Sequence, residues 1–88
     1  MKNNNYKQKL IKKLKYRSIY SGSKESDFIL SNFAKKNLNN LSISELESYE
    51  KFLTLGDVNI WNWVSKNETT PFFEDQNYVK FILLMRNN

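Results

Sequence analysis

The 88-residue chain contains no cysteine and no histidine. Without cysteine there is no disulfide and no thiolate metal site, and a reducing compartment is compatible with the composition. Without histidine the chain lacks the usual general base, the usual metal ligand and the usual switch near neutral pH. A zinc site would have to come from carboxylates alone, and the sequence does not cluster them for that purpose. Two glycines and one proline leave few breakers, which favours helices over a many-turned β fold. No apolar run of about 18 residues is present, so no membrane insertion is expected. The opening MKNNNYKQKL has no apolar stretch of the secretory kind. It is also too polar and too poor in arginine for a mitochondrial presequence. The expected location is therefore cytoplasmic.

What is present is apolar enough to fold. Hydrophobic residues make up 40% of the chain and aromatics 15%, which excludes an intrinsically disordered chain. A chain of this length forms one small domain and buries only roughly 60–65% of its unfolded surface. Charge is sorted along it. Residues 1–20 carry Lys2, Lys7, Lys9, Lys12, Lys13, Lys15 and Arg17 with no acid, a net +7; the rest holds seven cations against nine acids, a net −2. The pattern is a near-neutral body with a basic arm.

Hydrophobic spacing predicts an all-α fold, a compact bundle of five short helices near 6–20, 23–38, 43–55, 58–66 and 73–86, with flexible tails at 1–5 and 87–88. Tyr6, Leu10 and Leu14 step by four on the first helix, and the lysines take the other face. Phe28, Ile29, Phe33 and Leu38 form the stripe of the second. Ser42 with Glu45, or Ser44 with Glu47, makes a capping box for the third. Its inward residues are Leu46, Tyr49, Leu53 and Phe52, and Gly56 stops it. Asp57 caps the fourth, and Pro71 suits the first turn of a helix. Tyr78, Phe81, Ile82 and Met85 line the fifth. Trp61 and Trp63 point about 200° apart on a helix, so one is expected in the core and the other partly exposed.

Three features invite a functional reading. The stretch YSGSKESD, 20–27, joins a glycine corner to the first acids of the chain. Capping alone accounts for it: Gly22 sits near a helix start, and Glu25 and Asp27 complement the free N–H groups there. Alternatively, a corner without a side chain at Gly22 lets a partner approach the backbone, with the two acids as acceptors beside it. The basic arm, interleaved with Tyr6, Tyr16 and Tyr20, could follow phosphates and stack bases. It is also what the solvated face of an amphipathic helix looks like, and no nucleic-acid motif accompanies it. An exposed Trp could anchor an interface or simply cover a thin core. Glu45, Glu47 and Glu50 are explained by capping and solubility. With no glycine-rich phosphate loop and no nucleophile paired to a base, no enzymatic activity is expected.

Taken in order, KLKYRSIYSGSKESDFILSNFAKKNLNNLSISELESYEKFLTLGDVNIWNW resembles the succinate dehydrogenase assembly factor family, the small helical FAD assembly factors of bacteria and mitochondria. Leu14, Tyr16, Ser18, Gly22, Glu25, Asp27, Phe33 and Ala34 fit the family's first half, and Leu41, Ser42, Glu45, Tyr49, Asp57, Trp61 and Trp63 its second. The resemblance covers residues 12–86. It departs where the family has arginines before the glycine, since Ile19, Tyr20 and Ser21 stand there. The resemblance implies a five-helix chaperone, monomeric when free. Such a protein binds the flavoprotein subunit of succinate dehydrogenase, or of fumarate reductase, and promotes flavinylation, the covalent attachment of FAD to that client. On this reading the partner-binding residues are Tyr16, Arg17, Ser21, Gly22, Glu25 and Asp27, and the chain binds no cofactor or metal by itself, FAD belonging to the client. The alternative is a small basic helical adaptor for nucleic acid.

Overall fold

The five-helix pattern is realised in a computed structural model, which describes residues 2–19, 24–65 and 71–87. Within them α1 spans Lys2–Ile19, α2 Lys24–Asn37, α3 Ile43–Leu53, α4 Asp57–Ser65 and α5 Gln76–Arg86, with a short 3₁₀ turn at Leu38–Asn40. No strand occurs among the described residues. α1 begins four residues earlier than its apolar stripe marks. From Asn5 onward its first buried residue is Leu10, so the turn before Leu10 projects past the core. The hydroxyl of Tyr6 donates to Glu47 Oε2 at 2.9 Å and tacks that projection to α3.

The core is aromatic at its centre. Phe33 of α2, Tyr49 and Phe52 of α3 and Phe81 of α5 are all fully buried. Their ring centroids lie 5.1 to 6.4 Å apart, mostly tilted or edge-to-face, as ring quadrupoles favour. Leu10, Ile11 and Leu14 bring α1 onto this centre, and Ile60 and Val64 bring α4. Each element therefore contributes a stripe that could not be buried alone.

The ends of α3 show how local sequence sets its limits. Ser42 accepts from the Glu45 N–H at 3.1 Å while Glu45 Oε1 accepts from the Ser42 N–H at 2.9 Å. Of the two candidate boxes, only this one has its serine outside the helix, at φ −71 and ψ 166. Gly56 follows the last turn at φ +100, a conformation L-residues resist. A Cβ built there would meet only Asn59 Nδ2 at 3.8 Å, so the glycine serves the backbone angle rather than space.

Several side chains depart from the sequence expectation. Asp57 is the first residue of α4 rather than its cap, since the Gly56 carbonyl accepts the first intrahelical bond, from the Ile60 N–H. Phe28 is 69% exposed: its neighbour Ile29 is the partly buried one packed on the core, and a 3.6-residue period leaves one of the two outside. α5 begins at Gln76 rather than near 73. Asp75 is its N-cap and accepts from the Asn77 N–H at 2.9 Å, so Pro71 lies in the irregular approach and not in a first turn. Neither tryptophan is fully buried. Trp63 stacks its edge between Phe52 and Phe73, at 6.5 and 5.1 Å, while Trp61 opens onto a surface groove.

Candidate functional site

Tyr16 and Arg17 occupy the last turn of α1, and Glu25 and Asp27 the first turn of α2. Ser21 and Gly22, with Tyr20, lie outside the described residues. The site is thus seen as its two flanks.

Two buried serines set those flanks. Ser18 has no exposed surface; its Oγ donates to the Leu14 carbonyl at 2.8 Å and lies 2.6 Å from the Tyr49 hydroxyl. A serine has one proton to give, so the Tyr49 hydroxyl is the donor to Ser18. Burial pushes the Tyr49 phenol well above its ordinary pKa, which keeps that proton in place. The bond pins the last turn of α1 to α3 and turns Tyr16 outward, 66% exposed. Ser26, also buried, donates to the Asp57 carbonyl at 3.2 Å and ties the first turn of α2 to the start of α4. Glu25, exposed, and Asp27, half-buried, stand on either side of that tie. Their position in the first turn suits the positive end of the helix dipole, as the capping reading requires.

Tyr16 and Arg17 also form one wall of a cleft of about 290 Å³. Leu30 and Ile60 contribute apolar surface, and Gly56 and Asp57 stand at the α3–α4 turn. Glu25 and Asp27 do not line it. Arg17 Nη1 is 3.9 Å from Glu50 Oε2, to which Lys13 is also paired at 2.5 Å. Glu50 therefore orients the guanidinium without enclosing it. The structure brings together a phenol, a guanidinium and an apolar cleft on one flank and two carboxylates on the other. Such a surface can recognise a protein. Among the described residues no group of three or more acids could hold a metal ion.

Ser18, Ser26 and Gly56 were not foreseen as parts of the site. The first two had a signal. Ser18 is one step of four beyond Leu14, and Ser26 one step of four before Leu30, so each lies on the buried stripe of its helix. Small polar residues on such a stripe mark buried hydrogen bonds.

Comparison with known proteins is decisive on the family. Residues 12–86 match the family model described as the flavinator of succinate dehydrogenase. The chain belongs to that family. A relative from Lodderomyces elongisporus is 40% identical over 74 residues, covering 80% of this chain and 45% of its own length. One from Meyerozyma guilliermondii is 45% identical over 60 residues, 67% of this chain and 44% of its own. One from Dictyostelium discoideum is 39% identical over 64 residues, 73% of this chain and 45% of its own. All three are named succinate dehydrogenase assembly factor 2, mitochondrial. The chain spans under half the length of these relatives. No solved structure matches it significantly.

These names place the relatives in mitochondria and overturn the cytoplasmic expectation. That expectation rested on the composition of the first ten residues. A chain corresponding to less than half of each relative says nothing about the segments beyond it, where an address can lie. No helix among the described residues is long and apolar enough to cross a membrane.

Proposed function

We propose that this flavinator-family chain binds the flavoprotein subunit of succinate dehydrogenase, or of a related fumarate reductase, and promotes the covalent attachment of FAD to it. The observation that carries the reading is the family match over residues 12–86, which takes in both flanks of the corner. The chain has no histidine, so it cannot accept flavin through a histidyl linkage; its task is to hold the client in a competent arrangement. It acts as a binding protein rather than a catalyst, and FAD belongs to the client. Tyr16, Arg17, Glu25 and Asp27 make the contact, with Ser21 and Gly22 between them in sequence.

Co-expression of the subunit with and without this chain tests the proposal, with covalent flavin read as fluorescence of the subunit on a denaturing gel. The parent should raise that fluorescence. Glu25→Ala and Arg17→Ala variants that still melt cooperatively should raise it less. Equal fluorescence with and without the parent chain would overturn the function. Full activity of both variants at limiting concentration would overturn the site alone.

A further inference from the structure

A second surface lies beyond the corner, where α2, α4 and the end of α5 enclose a groove of about 420 Å³. Its apolar lining is Phe28, Ile29, Trp61, Val64 and Met85, and its charges are Lys36 and Arg86. Among the described residues no acid lines it. Phe28 is 69% exposed, so a large ring that could have packed inward is held in water at the groove's edge. Trp61 faces the same space, half-buried. Arg86 is set in place by donating from Nε to the Trp63 carbonyl at 3.1 Å. That bond ties the end of α5 to α4, so two walls of the groove are fixed relative to each other.

From these features we infer that the groove receives an acidic amphipathic segment of the client, its apolar side chain between Phe28 and Trp61 and its carboxylate on Lys36. The inference rests on the function proposed above. Charge complementarity selects the occupant: the charges described around the apolar floor, Lys36 and Arg86, are both cationic, and they repel a basic segment and reward a carboxylate beside a hydrophobic anchor. Aromatic rings at the centre with cations around them are the composition of an interface hot spot. A helix laid between two helices is the geometry such grooves accept. The groove also adjoins the corner, because Glu25 lies three residues before Phe28 and shares its exposed side of α2. Client contacts can therefore run without a break from Glu25 to Trp61, and the lysine face of α1 is not needed for them.

Binding of the full chain to the purified, immobilised flavoprotein subunit provides the test, with Phe28→Ser, Lys36→Glu and Lys36→Arg beside the parent. Phe28 and Lys36 are both exposed, so these variants should melt as the parent does. Phe28→Ser should weaken binding by about tenfold or more; Lys36→Glu should weaken it and Lys36→Arg restore it. Parent-like affinity of Phe28→Ser and Lys36→Glu would overturn the inference. A second arm uses no subunit: the chain is titrated with a short synthetic peptide bearing Leu and Phe on one helical face and Glu on the other. Tryptophan emission should respond to it and not to the matching Lys peptide, and Phe28→Ser should abolish the response. A parent that responds to the Glu peptide but not to the subunit overturns the proposed function and leaves the groove. A parent that responds to neither overturns both. Sedimentation as a dimer that Phe28→Ser dissociates would give the groove to a second copy of the chain and overturn the assignment.

Discussion

At the scale of single residues, the pair Ser18 and Tyr49 shows how one buried polar contact can position a recognition surface. Ser18 spends its proton on Leu14 and receives one from Tyr49. The two partners are not equivalent. Tyr49→Phe removes a donor and leaves Ser18 still bonded to the backbone, which should cost about 0.5–1.5 kcal/mol. Ser18→Ala strips a buried phenol of its partner, which should cost about 1–3 kcal/mol. The double variant should cost less than the sum of the two, because the orphaned hydroxyl is gone. Urea unfolding of the three variants measures this order, and a larger loss in Tyr49→Phe than in Ser18→Ala would refute the donor assignment. Ser18→Ala should also loosen the turn that carries Tyr16 and Arg17, so its effect on client binding should exceed its effect on melting.

At the scale of elements, the helices hold by their ends as much as by their stripes. Glu45 serves two neighbours: it accepts from the Ser42 N–H in the capping box and pairs with Lys80 of α5. The Lys80 contact first, and the Ser42 N–H second, hold its carboxyl below the usual glutamate range. A depressed carboxyl contributes stability above its unfolded pKa of about 4.3, and that contribution is lost as pH falls through the lower folded value. Glu45→Gln keeps an acceptor for Ser42 but no charge for Lys80 or the helix dipole, so it should cost about 0.3–1 kcal/mol at pH 7. The gap between Glu45→Gln and the parent should narrow as pH falls below about 4.3 and the Glu45 carboxyl takes up its proton. An unchanged gap across that range of melting experiments would show that the charge contributes nothing. This cap was legible in the sequence, as were all five helices, because capping boxes and stripes of Leu and Phe are local signals. The exposure of Phe28 was not: with Phe28 and Ile29 adjacent, only the packing of α4 decides which one faces in. The start of α5 was also displaced, because Asp75 offered a stronger cap than the proline upstream. At the candidate site, Tyr16, Arg17, Glu25 and Asp27 were singled out by the corner's charge reversal and the family pattern. The ties through Ser18 and Ser26 escaped because they join helices far apart in sequence, at separations of 31 residues each.

At the scale of the whole molecule, the charge asymmetry is partly neutralised by the fold. Lys13 and Arg17 converge on Glu50, so α1 is clamped to α3 by two of its seven cations. Five remain on the arm, and none of those described lines the groove that we assign to the client. A phosphate polymer would have to be held by those five. Its affinity should then fall by about 500-fold as salt rises fourfold, since each neutralised phosphate contributes a slope near −0.9. Contacts made by Phe28, Trp61 and one or two charge pairs respond mainly to apolar burial and should weaken by less than about tenfold over the same range. The two predictions separate on one plot of log affinity against log salt, taken with the flavoprotein subunit and with duplex DNA. A shallow line for the subunit is the expected result. If the subunit line were as steep as five neutralised charges require, the basic arm of α1 would be the client's docking surface, and the corner and groove would be bystanders.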